Sequence, residues 1–264
     1  MNEKQLTIVI LTKNEEKNLP RCLQAIPEDY PVVILDSGST DQTIEIAQKY
    51  GCKVFENRWE GFAKQRNHAL EHCGIRTEWT LFVDADEIYP LSFYEWFENK
   101  AIFMHDIDVF MIPQILIFRG KRLSHVPGYP IYHPRLVKTD SVRFVVNYAG
   151  HGETVSNIYK IHYTDIPYLH YIFEDEIAWM KKHIGNAWEE VKGNNNRENC
   201  LLTRRTKLNL MLRHSFFRIP ARFFYHYLFR LGFLDGKAGF VYSLLYCWYE
   251  FTKYIMLEIE KVDK

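Results

Sequence analysis

The N-terminal half of the chain alternates between apolar runs and polar segments with helical features. The run LTIVILT (Leu6–Thr12) is apolar and rich in β-branched residues, which is typical of a strand covered on both faces. Comparable runs follow at VVILDS, CKVFEN and TLFVDAD. This alternation predicts an α/β fold, with a mostly parallel sheet and helices on both of its faces.

Beyond about residue 108 the pattern changes. DVFMIPQILIFRG predicts a long strand, and IYHPRLVK and VRFVV predict shorter ones that add to the sheet in antiparallel fashion. The segment IFEDEIAWMKKHIGNAWEEVK has a helical period, and the polar stretch NNNREN is the best candidate for a linker. We therefore predict a first domain over 1–195, with halves of about 1–107 and 108–195, followed by a helical region over 196–264.

Composition narrows the possible classes of protein. The 33 Lys and Arg residues balance 33 Asp and Glu residues, so charge gives no argument for a nucleic-acid partner. The 5 cysteines are scattered without a C-x-x-C pair, which suits a reducing cytoplasm and argues against disulfides or structural zinc. The start MNEKQLTIVILTKNEE predicts a first strand and not a signal peptide, because charges follow the apolar run directly. The longest apolar segment, AGFVYSLLYCWYEFTKYIM, is interrupted by Glu250 and Lys253 and is not expected to span a bilayer.

Polar side chains stand where the predicted parallel strands end. Thr12 and Asn14 follow the first strand, Asp36 ends the second, and Asp84 and Asp86 end the fourth. Ligands of such sheets bind at the carboxyl ends of the strands, so these residues are expected at one edge. Two carboxylates on one side of a strand repel unless a cation lies between them, and Mg²⁺ or Mn²⁺ prefers oxygen ligands. An isolated D-x-D can equally be a strand-end turn with exposed acids.

Two basic residues begin the helix predicted at GFAKQRNHAL. Lys64 and Arg66 oppose the dipole at the start of this helix, which favours an anion such as a pyrophosphate nearby. A solvated helix face explains either residue alone equally well. The chain contains neither G-x-G-x-x-G nor a P-loop motif, so a dinucleotide enzyme and a P-loop enzyme are both disfavoured.

Taken together, TKNEE, DSGSTDQT, AKQRN and FVDADE resemble the inverting nucleotide-sugar glycosyltransferases of family 2. That family has the GT-A fold of nucleotide-diphospho-sugar transferases, a three-layer sandwich. Further along, FRGKRLSHVPGYPIYHPRLVK, HGET and LHYIFEDEIAWMKKH resemble the branch that includes lipopolysaccharide-core β-1,4-glucosyltransferases. The segment from FRIPARFF onward resembles the tail of that branch, so the resemblance spans nearly the whole chain.

The resemblance implies a site for a UDP-sugar, with UDP-glucose as the expected donor, and a divalent metal, Mg²⁺ or Mn²⁺. It implies that residues 1–195 form the catalytic domain. By this resemblance, the residues around the uridine, here called the uridine-group residues, are Thr12, Asn14, Glu15 and Asp36. Lys64 and Arg66 would lie near the diphosphate. Asp84 and Asp86 would bind the metal, with Asp86 preferred as the direct ligand.

The acceptor side has candidates of its own. The resemblance makes Glu153 the candidate general base that deprotonates the acceptor hydroxyl, with His151 as a helper or a structural histidine. Arg135 would bind a donor or acceptor phosphate, or it is a surface arginine on an edge strand. The other histidines, including His125, His133 and His170, show no spacing that predicts a metal site.

Between residues 197 and 237 the chain is basic and aromatic. Lys and Arg outnumber Asp and Glu there, and Phe and Tyr residues lie between them. Such a segment suits the interface of an anionic bilayer, or it packs on the catalytic domain with a solvated basic face. We expect a cytoplasmic enzyme, peripheral at the inner-membrane face, whose acceptor is a lipid-anchored glycan such as the lipopolysaccharide core. Another glycan, a polyprenyl phosphate, or a non-catalytic membrane-bound scaffold remains as an alternative, and the oligomeric state is open.

Overall fold

The fold is described from a computed structural model that covers residues 4–127, 129–146, 153–172, 176–193 and 215–262. Strands dominate the first two thirds of these ranges and helices the last. The strands are β1 (Leu6–Thr12), β2 (Val32–Asp36), β3 (Lys53–Glu56), β4 (Trp79–Asp84), β5 (Glu87–Ile88), β6 (Val109–Phe118), β7 (Lys121–Leu123), β8 (Ile131–Lys138), β9 (Phe144–Val146), β10 (Glu153–Val155), β11 (Ile161–Tyr163) and β12 (Tyr168–Tyr171). The α-helices are α1 (Leu19–Gln24), α2 (Thr43–Lys49), α3 (Phe62–His72), α4 (Leu91–Asn99), α5 (Glu176–Gly193), α6 (Arg218–Phe224) and α7 (Gly236–Val262).

The sheet confirms the parallel arrangement predicted from the apolar runs. Its first four strands run β3-β2-β1-β4 and are all parallel. β8 then pairs antiparallel with β4, and β6 pairs antiparallel with β8. The register places Thr12 opposite Asp36 and Leu11 opposite Asp84, so the polar ends of β1, β2 and β4 lie at one sheet edge.

Apolar side chains cover both faces of this sheet. β1 is buried at every position, as its unbroken apolar sequence requires. One face packs Ile8, Ile10 and Trp79 against α1 and α4, and the other packs Val9 and Phe82 with α3. Because successive side chains of a strand point to opposite faces of the sheet, neighbouring residues pack in two separate cores.

The chain divides into two compact units. Described residues up to Ile115, with 130–146 and 153–171, form the first unit, which contains the parallel sheet. Residues 116–127 and those from Ile172 onward form the second, whose core includes Phe118, Trp179 and Tyr242. A boundary at residue 195 stays a prediction, since that position lies outside the described ranges.

The second unit is mostly helical. A π-helical turn, Tyr225–Phe229, and a 3₁₀ turn, Gly232–Asp235, connect α6 to α7. Across the described ranges, no helix combines the length and the apolar content that crossing a bilayer demands.

Candidate functional site

The turn after β2 is built around the Asp36 carboxylate, which is fully buried. Its Oδ1 accepts hydrogen bonds from the backbone amides of Gly38 at 2.8 Å and Ser39 at 2.7 Å. Its Oδ2 accepts from the hydroxyls of Thr12 at 2.8 Å and Ser39 at 2.5 Å. Asp36 therefore joins the end of β1 to the turn after β2.

The loop after β1 is held to the same turn by backbone-to-side-chain hydrogen bonds. Asn14 has a left-handed backbone, with φ of 56°, and its amide donates to Ser39 Oγ at 2.8 Å. Its side-chain Oδ1 accepts from the Thr40 amide at 2.8 Å, and the Glu15 amide donates to Thr43 Oγ1 at 2.8 Å. The uridine-group residues predicted from sequence thus lie together, in two turns fixed to each other.

The end of β4 carries a buried cluster of opposite charges. Arg66, on α3, is fully buried, and its Nη2 lies 3.2 Å from Asp84 Oδ1. Arg135, on β8, reaches Asp84 Oδ2 at 2.7 Å with its Nη2, and the same nitrogen contacts Glu87. Glu87 is itself fully buried and accepts a hydrogen bond from the Asp84 amide at 3.0 Å. Two guanidinium groups therefore balance two carboxylates.

These contacts determine how the cluster titrates. Burial raises the pKa of Asp84, but Arg135 and Arg66 outweigh it and hold that pKa well below its usual value. Burial raises the pKa of Glu87, against the opposing charge of Arg135. Burial lowers the pKa of Arg135, yet Asp84 and Glu87 together raise it well above its ordinary value. Asp84 and Arg135 therefore remain charged at neutral pH.

Asp86 has a different environment from Asp84. It lies in the turn between β4 and β5, and its side chain is 22% exposed. Strand β12 pairs antiparallel with β5 and brings His170 Nε2 within 3.3 Å of Asp86 Oδ2. The other ring nitrogen, Nδ1, lies 3.1 Å from Gln114 Oε1. Burial lowers the pKa of His170, but the Asp86 carboxylate reverses the effect and raises it above its ordinary value.

The two acids of the D-x-D motif are thus compensated separately. Sequence reasoning expected one cation to lie between Asp84 and Asp86, whereas the protein supplies two arginines for Asp84 and an imidazole for Asp86. It also missed His170, because the pairing of β12 with β5 joins positions more than 80 residues apart along the chain. No local pattern records that pairing.

The side chains at this edge of the sheet supply some, but not all, of the ligand atoms that a divalent ion needs. Among the described residues, no group of three or more His, Cys, Asp or Glu side chains forms a metal centre. Asp86 and His170 offer an oxygen and a nitrogen, and Mg²⁺ or Mn²⁺ commonly completes such a set with waters and substrate phosphates. Both oxygens of Asp84 accept from guanidinium groups, so Asp86 fits the direct ligand better than Asp84 does.

The remaining candidates fall in several places. Lys64 is exposed and pairs at 2.7 Å with Glu60, which precedes the helix, whereas Arg66 on the same helix is buried beside Asp84. The alternative interpretation of Arg135 as a surface arginine on an edge strand is wrong, because β8 lies between β4 and β6 and the residue is 4% exposed. Glu153 pairs through its backbone with Val146 on β9. Its side chain and His151 lie outside the described residues.

A parallel four-strand sheet whose acidic turns meet at one edge, extended by antiparallel strands, is the GT-A fold of glycosyltransferases. Residues 7–148 match the model of the family described as "Glycosyl transferase family 2". The match covers more than half of the chain, and the protein belongs to this family.

The chain is similar to solved and curated glycosyltransferases, in fold to the former and in sequence to the latter. A mannosyltransferase of Pyrobaculum calidifontis, solved with GDP-Man and Mn²⁺, has a similar fold, with a TM-score of 0.53 and 15% identity over 97% of this chain and 88% of that one. An uncharacterized glycosyltransferase of Rickettsia typhi is 31% identical over 47% of this chain and 42% of its own length. A lipopolysaccharide core biosynthesis glycosyltransferase of Rhizobium meliloti is 36% identical over 31% of this chain and 32% of its own. The chain therefore spans less than half the length of these curated relatives.

Proposed function

We propose that this glycosyltransferase moves a hexose, with glucose as the first candidate, from a UDP-sugar to a membrane-anchored glycan with inversion at the anomeric carbon. The observation that carries the proposal is the pairing of Asp86 with His170 at the carboxyl edge of the sheet, beside an Asp84 that two arginines fix. A divalent ion would be held there by Asp86 and His170. When bound to the diphosphate, such an ion stabilises the negative charge of the leaving group.

The donor would lie along the two turns that Asp36 joins. The loop after β1, which contains Asn14, and the turn after β2, which contains Ser39, would form a preorganised surface for the nucleoside. Internal hydrogen bonds fix both backbones before any ligand binds. Asp36 would hold these two segments in position for the nucleoside, since both of its carboxylate oxygens already accept hydrogen bonds from the protein. Lys64, exposed at the start of α3, is the cation best placed on its helix to meet an anion.

In the transfer, the acceptor hydroxyl oxygen attacks the anomeric carbon while the bond from that carbon to the diphosphate breaks. The hydroxyl proton passes to a general base, for which we propose Glu153, and UDP leaves with the bonding electrons. Attack from the face opposite the leaving group inverts the configuration. A positioned base contributes about 10²–10⁴-fold to such a reaction.

The acceptor proposal has two supports. One is the matched relative named for lipopolysaccharide core biosynthesis, which points to that glycan class. The other is the set of exposed apolar side chains in the C-terminal helical region, with basic residues between them in the sequence, which suits a peripheral position at the inner face of the membrane. Another glycan or a polyprenyl phosphate would be the acceptor if the core glycan is not glycosylated.

The test is a survey of UDP release from a panel of UDP-sugars, with and without Mn²⁺, on the full chain. We expect Mn²⁺-dependent release from one or a few sugars, loss of that release in Asp86→Ala, and retention in the matched exposed control Asp140→Ala. Release that Asp86→Ala leaves unchanged would contradict the metal assignment. Folded protein that releases no UDP from any sugar would favour the non-catalytic scaffold.

A further inference from the structure

The connection between α6 and α7 exposes a group of large apolar side chains. We call residues 224–234 the apolar turn. Phe229 is 81% exposed, more than any other phenylalanine of the described ranges. The exposed apolar members are Phe224, Leu228, Phe229, Leu231, Phe233 and Leu234. Single exposed apolar residues are ordinary, whereas a contiguous group of this kind marks a binding surface.

Leu231 occupies a backbone conformation that leucine disfavours. Its φ of 58° and ψ of 29° lie in the left-handed region, where glycine or asparagine is usual. The side chain is also 45% exposed, so packing in the protein does not explain the choice of leucine. A leucine that is exposed to solvent and also strains its backbone does not help the protein fold. Its presence therefore indicates a functional role for the side chain.

The base of the apolar turn is held firmly. The Asp235 carboxylate, 3% exposed, accepts hydrogen bonds from the backbone amides of Ser124 at 3.0 Å, His125 at 3.0 Å and Val126 at 3.1 Å. Gly232 packs so closely that an added Cβ would lie 2.7 Å from the His226 carbonyl oxygen. The exposed side chains therefore project from a fixed support, which lowers the entropy lost when they are buried by a partner.

Charge identifies the kind of partner. Arg230 and Lys237 flank the apolar side chains and make no ion pair with any described residue. The nearby acids are turned inward, since Asp235 caps the 124–126 backbone and buried Glu250 pairs with Arg218. The turn thus presents apolar groups bordered by positive charge, the combination that binds the headgroup and acyl boundary of anionic bilayers.

We infer that the apolar turn is a membrane-insertion element, with Phe229 and Leu231 entering the acyl boundary and Arg230 and Lys237 contacting lipid phosphates. The inference rests on the proposed membrane-anchored acceptor and names the element that would hold the enzyme beside it. It differs from the sequence-based expectation of a basic helix over residues 197–237, because it assigns insertion to the turn at 224–234, and part of the expected helix, 197–214, lies outside the described residues.

The test is sedimentation of the full chain with vesicles of phosphatidylglycerol and phosphatidylethanolamine, compared with neutral phosphatidylcholine vesicles. Phe229→Ser and Leu231→Asn should each lower partitioning roughly tenfold, the scale of one buried large apolar side chain. Leu231→Asn should leave the urea midpoint unchanged or higher, because asparagine suits the left-handed backbone. Ile158→Ser, which removes an apolar side chain that is 77% exposed in the first unit, is the matched control and should bind as the parent does.

Neutralising the flanking cations separates the electrostatic contribution to vesicle binding from the contribution of the inserted apolar side chains. The double variant Arg230→Gln with Lys237→Gln should weaken binding to the anionic vesicles and leave the weaker binding to neutral ones unchanged.

Unchanged partitioning of both Phe229→Ser and Leu231→Asn would overturn the inference. A concentration-dependent dimer that Phe229→Ser dissociates, with no vesicle binding by the parent, would overturn it too and make the turn a self-association surface. UDP release in solution separates the two proposals. A parent protein that releases UDP but does not bind the anionic vesicles refutes insertion alone, whereas a parent that binds vesicles without releasing UDP refutes the proposed transfer.

Discussion

The buried charge cluster at the end of β4 predicts a large stability cost for Arg135→Met. Arg135 lies between Asp84 and Glu87 and is 4% exposed, so methionine fills part of its volume but removes the guanidinium that contacts both carboxylates. At an effective dielectric constant of about 20, each lost charge pair at about 4 Å is worth about 4 kcal/mol. The substitution also removes the free-energy penalty of burying the guanidinium, which offsets much of this loss. The expected net cost is therefore about 3–5 kcal/mol, the usual cost of removing one partner from a buried ion pair.

A second substitution tests whether charge is the cause. Glu87→Gln removes the negative charge that Arg135→Met leaves without its partner and keeps the side-chain shape. The double variant should therefore be more stable than the sum of the two single effects, by about 1–3 kcal/mol of coupling. Urea unfolding followed by tryptophan fluorescence measures all four proteins of the cycle. A cost below about 1 kcal/mol for Arg135→Met, or additive effects in the double variant, would refute this reasoning.

Three more predictions test other parts of the structure. Thr12→Val removes one of the donors to buried Asp36 and should lower the unfolding free energy by about 1–3 kcal/mol in urea titrations, and an unchanged midpoint would contradict the role of that bond. Glu153→Gln should lose turnover and keep UDP affinity by calorimetry, and weakened UDP binding would remove it from the role of base. Gly239→Ala would push Cβ into the Gly232 carbonyl oxygen and should destabilise the second unit, whereas the control Gly185→Ala, with open space around it, should be neutral or stabilising by thermal denaturation. Equal melting temperatures for those two variants would contradict the close packing of α7 on the 3₁₀ turn.

Local pattern was sufficient for the parallel half of the fold. The apolar run of β1 could only be a strand buried on both faces, and the polar residue that ends each parallel strand could be assigned to one edge from topology alone. The sequence alone therefore predicts that Asp36 and Asp86 lie at that edge.

The partners of those residues could not be predicted in the same way. From the sequence Arg135 has two possible roles, because no local pattern shows that β8 pairs with both β4 and β6 and so lies inside the sheet. His170 faces Asp86 only because β12 returns to pair with β5. Long-range strand register depends on how the whole sheet closes, and no period within a single segment contains that information.

We propose that Asp86 and His170 together hold a divalent ion at the sheet edge when nucleotide is present. Electron paramagnetic resonance of Mn²⁺ with the full chain and UDP tests it most directly, because nitrogen from a bound imidazole couples to the metal spin. We expect tight, UDP-dependent Mn²⁺ binding with a histidine nitrogen coupling that disappears in His170→Gln, and a loss of Mn²⁺ binding in Asp86→Ala. Mn²⁺ that fails to bind with UDP, or a nitrogen coupling that persists in His170→Gln, would contradict it.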